Sequence, residues 1–265
     1  MTKSLILFFV LSFASGCLGG SSAFADNITV AAAASLREAM TEIAKVYETD
    51  TQDQVELTFG SSGQLAAQIK AGAPIDAFIS AADAQVKDLI HAQAADGKSS
   101  RIIAGNELVL VVPRSNATIT SFEDLKNVKR LATGEPRTVP AGMYAEQTLK
   151  KLDLLDTLKD RIVYGTNVRQ VLDYVRRSEV DAGIVYATDA KEAGEEVKLV
   201  ATADKTWHQP IQYPAIVMSK TSKRDAAVRF LDFLRTPKAQ QLLKERGFAP
   251  APAGATTSTT QATGK

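Results

Sequence analysis

Between residues 28 and 246, short apolar runs of strand type alternate with stretches of helical spacing, and this alternation most narrows the folds open to the chain. ITVAAAA (28–34) is followed by Leu36, Met40, Ile43, Ala44 and Tyr47 at helical intervals. VELTF (55–59) precedes a helix that starts with Leu65, Ala66 and Ile69 and ends near Gly72, and IDAFIS (75–80) precedes a helix over 83–93. Strands continue at 107–113, 130–133, 161–165, 180–186, 197–201 and 211–219. Helices fall at 121–125, 141–152, Val168 to Val175, 223–235 and 237–246. Such a chain predicts parallel sheets with helices on both faces. No internal sequence repeat is visible. The longest strands, ELVLVVP (107–113) and IQYPAIVMS (211–219), carry Pro113 and Pro214, which interrupt regular pairing and suit segments that cross between two lobes. This division puts 26–107 with 211–248 in one lobe and 108–210 in the other.

The two ends have other characters. MTKSLILFFVLSFAS joins a lysine to an apolar run from Leu5 to Phe13 and then to small residues, the pattern of an export signal over 1–25, too short to span a membrane comfortably. Cleavage after Ala23-Phe24-Ala25 leaves Asp26 first and the protein in the periplasm. Alternatively, Ala14-Ser15-Gly16-Cys17 resembles a lipoprotein box, with alanine in place of its usual leucine, and leaves a lipid anchor at Cys17 on the outer side of a membrane. Because Cys17 is the single cysteine, an internal disulfide is excluded, as is thiol catalysis after export. The segment 249–265, APAPAGATTSTTQATGK, is small and polar and reads as a disordered tail. With 31 basic and 30 acidic side chains, the net charge of +1 predicts no nucleic-acid partner.

In open α/β sheets, ligands sit beyond the carboxyl ends of strands, where helices begin. Four such junctions stand out. In AAAASLRE, Ser35 and Glu38 have capping-box spacing, and in GSSGQ so do Ser61 and Gln64, which leaves the Ser62 hydroxyl uncommitted. In TVPAGMY, Pro140 suits a helix start and presents the amides of Ala141 and Gly142. In GTNVRQV, Asn167 is a good N-cap, so Val168 offers a free amide. Tyr186, at the end of VDAGIVY, adds a phenolic donor. Unpaired amides at a helix N-terminus attract anions, and small neighbours let a ligand approach the backbone. Each residue also has a purely structural reading as a cap or core side chain. The coincidence of four anion-ready junctions carries more weight than any one of them. None of Ser35, Ser62, Ala141, Val168 and Tyr186 is a cation, histidine or acid, which suits a fully ionised oxyanion. Arg37 and Arg169, each two residues beyond a cap, are expected to project away from the opening.

Catalysis has little support. GSSGQ lacks the final glycine of a nucleophile elbow, no phosphate loop or dinucleotide fingerprint occurs, and His91 and His208 lie far from the serine junctions in sequence. No cluster has metal-ligand spacing, and no cofactor is expected.

The segments AAASL, FGSSGQLAAQIKAGAPIDAFISA, GEPRTVPAGMYAEQTLKKL and GIVYATDA, in this order, closely resemble the periplasmic molybdate-binding proteins of ABC importers. The resemblance runs from about 28 to 246. It implies a type II periplasmic-binding-protein fold, two α/β lobes around a ligand cleft joined by two crossover strands. It also implies a molybdate or tungstate dianion held without a counter-cation, and a monomer that delivers it to a membrane permease. Carried over by motif, the ligand residues are Ser35, Ser62, Ala141, Val168 and Tyr186. Gly63 departs from relatives that carry a third serine there. Sulfate or another small oxyanion is the alternative cargo.

Overall fold

The computed structural model describes residues 26–116 and 118–251. β1 (Asn27–Ala33) runs through a 3-10 turn into α1 (Arg37–Thr51), β2 (Gln54–Gly60) into α2 (Ser62–Lys70), and β3 (Ala77–Ile79) towards α3 (Asp83–His91). β4 (Arg101–Gly105) and β5 (Leu108–Pro113) follow. Then come β6 (Leu131–Gly134), α4 (Pro140–Lys151), α5 (Leu155–Leu158), β7 (Ile162–Gly165), α6 (Val168–Arg176), β8 (Ala182–Tyr186), α7 (Ala187–Ala193) and β9 (Val197–Thr202). β10 (Gln212–Val217), α8 (Arg224–Phe233), α9 (Pro237–Glu245) and β11 (Ala249–Pro250) complete the order.

These strands form two sheets, one of six strands ordered β11-β4-β10-β3-β1-β2 and one of five ordered β7-β6-β8-β5-β9. Omitting β11, the sheets have the same plan: β4-β10-β3-β1-β2 matches β9-β5-β8-β6-β7 position for position. The sheets are mixed, not purely parallel. β1 pairs parallel with β2 and β3, and β6 pairs parallel with β7 and β8, but β10 runs antiparallel to β3 and β5 antiparallel to β8. The reason is connectivity. β5 and β10 are the strands entered directly after the chain passes from one sheet to the other, so no helical crossover within the sheet fixes their direction. The passages themselves are Asn106–Glu107 and the longer stretch from Ala203 to Ile211. Pro214 breaks the ladder as expected: the β10–β4 register shifts between Tyr213 and Pro214.

Alternation along the central strands shows how the first sheet is covered on both faces. Ile28, Val30 and Ala32 of β1 join the core that holds Leu36, Met40, Ile43 and Tyr47 of α1 and Phe230 of α8. Ala31 of β1 and Phe78 of β3 face the other way, onto Leu65 and Ile69 of α2 and Val86 and Leu89 of α3. With both faces buried, these strands are mostly apolar, which is why they read as near-continuous runs.

Three further sequence expectations change. SFEDL forms only a 3-10 turn at Glu123–Asn127. RIIAG at 101–105, outside the predicted strands, is β4. Ala249–Pro250, placed by composition in the tail, pairs antiparallel with β4 at the sheet edge. The rest of that tail, from 252, and the export signal with Cys17 lie outside the described residues. No helix among the described residues is long and apolar enough to cross a membrane. In the second passage, Trp207 packs edge-on against Phe122, with ring centroids 5.6 Å apart.

Candidate functional site

The two equivalent sheets point the carboxyl ends of their parallel strands at one another. Ser35 follows β1, Ser61 and Ser62 follow β2, and Ala81 follows β3; Ala141 follows β6, Asn167 and Val168 follow β7, and Tyr186 ends β8. All of these residues line one cavity. Ser35, Ser62, Ala141, Val168 and Tyr186 are thus brought together from five separate stretches of chain. The cavity is small: the space open to the centre of a water-sized sphere is about 10 Å³. Sites for drug-sized organic ligands occupy hundreds of Å³, so this one suits a single compact guest. Its lining contains Ala, Gly, Ser, Val, Pro, Asn and Tyr, and no lysine, arginine, histidine, aspartate or glutamate.

Hydrogen bonds fix which donors remain free. At the mouth of α6, Asn167 Oδ1 accepts from the Arg169 amide at 3.0 Å and the Gln170 amide at 3.1 Å, which leaves the Val168 amide at the first helical position. At the mouth of α2, Ser61 Oγ accepts from the Gln64 amide at 3.4 Å, and the Gly63 amide donates to the Thr138 carbonyl across the cleft at 2.9 Å. The Ser62 amide is left. The Ser62 oxygen is not uncommitted, as the sequence suggested: it accepts from the Ala81 amide at 3.0 Å. A hydroxyl oxygen so occupied still has its single proton to give, and only the cavity remains to receive it. α4 opens with Pro140 at its first position, which makes the neighbouring Ala141 amide an unpaired one.

The capping box expected at Ser35 does not form. The N-cap of α1 is Leu36, without a side-chain cap, because a 3-10 turn at Ala34–Leu36 intervenes. Ser35 Oγ instead lies 3.0 Å from the hydroxyl of buried Tyr213, whose oxygen accepts from Asn106 Nδ2 at 3.0 Å. With a donor already on the Tyr213 oxygen, the phenolic proton suits Ser35 Oγ, and the serine proton is free for the cavity. Tyr213 and Asn106 were missed by sequence reasoning. The tyrosine beside the strand-breaking Pro214 was the available signal.

Tyr186 is the most telling member. Its hydroxyl is buried and has no hydrogen-bond partner among the described residues. Burial, reinforced by Tyr213, Tyr144 and Asp189 nearby, holds its phenol well above the usual range, so it stays a donor. Neither nearby arginine lines the cavity. Arg37 stacks over the Phe59 ring at 4.6 Å, and Arg169 lies between carboxylates, with Nε 2.9 Å from Asp189 Oδ1 and the fork on Glu38. Asp189 is fully buried; burial pushes its carboxyl up to about 6, although Arg169 and the Tyr186 amide at 3.1 Å pull the other way. Among the described residues, no three His, Cys, Asp or Glu side chains converge as a metal site.

The family model for bacterial extracellular solute-binding proteins matches residues 28–249. The chain belongs to this family. Extracellular solute-binding proteins are not enzymes, and they work outside the cytoplasm. Two curated members illustrate the similarity. The chain is 39% identical over 246 residues to the molybdate-binding protein ModA of Escherichia coli K12, covering 90% of this chain and 94% of that one. It is 42% identical over 224 residues to the putative ABC transporter substrate-binding lipoprotein YvgL of Bacillus subtilis 168, covering 84% and 86%. Among solved structures, the substrate-binding domain of a putative molybdenum ABC transporter from Clostridium difficile superposes with a TM-score of 0.68 at 34% identity. The match covers 86% of this chain and all of that one.

Proposed function

We propose that this solute-binding protein captures molybdate, and tungstate with it, and hands the anion to the permease of an ABC importer. The supporting observation is the cavity: five residues from both sheets surround a space for one compact guest, with donors at its wall and no ionised side chain. The Ser35 and Ser62 hydroxyls, the Val168 and Ala141 amides and the Tyr186 phenol are the proposed ligands. Charge-assisted hydrogen bonds contribute about 1.5–3 kcal/mol each. An all-donor wall favours an anion that carries no proton of its own, because a protonated oxyanion would need an acceptor. Size then selects among dianions of equal charge: Mo–O bonds are longer than S–O bonds, and donors on rigid helix mouths do not follow a smaller ion inward. The likeness to ModA proteins, named for molybdate, favours the same cargo.

In this reading, residues 26–107 with 211–248 and residues 108–210 are two bodies that open and shut as a monomer about the two passages. The anion bridges their half-sites and favours the closed form, which the permease recognises. Whether Cys17 carries a lipid decides only how the protein is held outside the membrane. Isothermal calorimetry against molybdate, tungstate, sulfate and phosphate tests the proposal. Molybdate and tungstate are expected to bind at micromolar Kd or below. Sulfate and phosphate should be weaker by about a hundredfold or more, roughly 2.7 kcal/mol. Equal affinity for sulfate and molybdate would overturn size selection.

A further inference from the structure

Arg169 is a charged side chain beside the cavity that has no part in the ligand set proposed above. It follows Val168 directly in α6, on the second sheet's side. Its side chain is only 19% exposed and crosses the cleft: Nη2 donates to the carboxylate of Glu38 in the first turn of α1, and to the Ser35 carbonyl at 3.4 Å. On its own side, the Nε edge lies 2.9 Å from Asp189, which is buried in α7. Thus the residue next to one proposed ligand group grips the backbone of another across the lobe boundary.

We propose that Arg169 is a positioning residue for anion capture. Its bridge to Glu38 and the Ser35 carbonyl exists only when the cleft is shut, and it fixes the Ser35 half-site against the Val168 half-site. Asp189 supplies the anchor. The Arg169–Asp189 contact lies within one lobe and persists when the lobes part, whereas the Glu38 and Ser35 contacts span the lobes and are lost. The anchor also keeps the guanidinium off the cavity wall, so the cation aligns the site without neutralising the ligand. Planarity matters here: Nη2 hydrogen-bonds the Glu38 carboxylate and the Ser35 carbonyl while the Nε edge lies against the Asp189 carboxylate as an ion pair without a hydrogen bond, an arrangement a lysine ammonium cannot reproduce in the same geometry. The inference rests on the binding reading above, but for an anion cargo in general and not for molybdate alone.

The test compares the wild-type chain with Glu38→Gln and Arg169→Lys, and with Arg176→Gln as a control. Arg176 is on the same helix but pairs with Asp173 and Glu196, away from the cleft. Molybdate Kd is measured by calorimetry and release by stopped-flow chase with excess tungstate. E38Q is expected to weaken molybdate binding about tenfold, mostly through faster release, as when one partner of a desolvated charge pair is removed. R169K should act in the same direction, the double variant should be no worse than the weaker single, and R176Q should match wild type. The ligand-free Tm of E38Q should equal that of wild type, since the bridge is absent in the open form.

Wild-type Kd and release rate in E38Q would overturn the proposal. So would a fall in ligand-free Tm that accounts for the whole loss of affinity, because the pair would then be a static brace. If the wild-type chain binds sulfate and not molybdate, the cargo assignment fails. The same variants titrated with sulfate then still decide the role of Arg169.

Discussion

At the scale of single residues, the proposed ligand groups differ in whether they also hold the fold. The Tyr186 hydroxyl has no partner in the protein, so removing it takes away a buried, unsatisfied donor. Tyr186→Phe is therefore expected to leave ligand-free stability unchanged or slightly raised while weakening molybdate by about 1.5–3 kcal/mol. Urea unfolding and calorimetry on one preparation check both halves. Ser62→Ala should weaken binding by about 1–3 kcal/mol, but it should also destabilise the empty protein, because the buried Ala81 amide loses its acceptor. Asp189 makes a further prediction. Its folded pKa of about 6 stands above the ordinary value of 3.8, so between those values the folded state holds a proton that the unfolded chain lacks. Its contribution therefore favours folding more as pH falls from about 6 towards 3.8, and it is lost as pH rises through 6. The expected gain, on the order of 1–3 kcal/mol, should disappear from the difference between pH 7 and pH 5 urea midpoints in Asp189→Asn.

At the scale of elements, the helix mouths are placed by close packing as much as by caps. A Cβ added at Gly142 in α4 would lie 2.0 Å from the carbonyl oxygen of Gly134 at the end of β6, so the helix sits where only glycine permits. Gly142→Ala must push α4 away from β6 and carry Ala141 off the cavity. The expected destabilisation is about 1–3 kcal/mol, with a loss of molybdate affinity larger than stability alone explains. A variant that binds normally would show that the Ala141 amide is not a ligand. The Asn167 cap and the Pro140 helix start were legible in the sequence because both are local signals, fixed by the next three or four residues. The Ser35–Glu38 spacing misled because its competitors, Tyr213 and Arg169, are distant in sequence and meet the junction only in the fold. The strand directions were misread for the same reason. Alternating β and α predicts parallel pairing, while β5 and β10 enter from the opposite sheet, a fact that lies in topology and not in any periodicity. The five cavity residues could be named because each sits at a strand-to-helix junction with a small-residue motif, and because those motifs resembled a known family. Tyr213 and Asn106 sit at no such junction, and Arg169, although inside GTNVRQV, carries no local sign of its contact with Glu38.

At the scale of the whole molecule, the shared strand order of the two sheets gives each lobe the same kind of half-site, although no repeat survives in the sequence. A guest held by both halves stabilises their union, so ligand and fold are linked by mass action. At molybdate a hundredfold above Kd, stability should rise by about 2.7 kcal/mol, and Tm by roughly 5–10 °C for a chain of this size. Differential scanning fluorimetry with molybdate and, separately, sulfate reads this directly, and equal shifts for the two would count against selection by size.

The position of Trp207 has a practical consequence. It is the sole tryptophan in the chain, and it sits in one of the two passages, stacked edge-on to Phe122. Indole emission responds to its immediate surroundings, so if the two bodies move about the passages as proposed, the native polypeptide carries a label-free optical gauge of that motion, and anion uptake should be readable by light without attaching a dye.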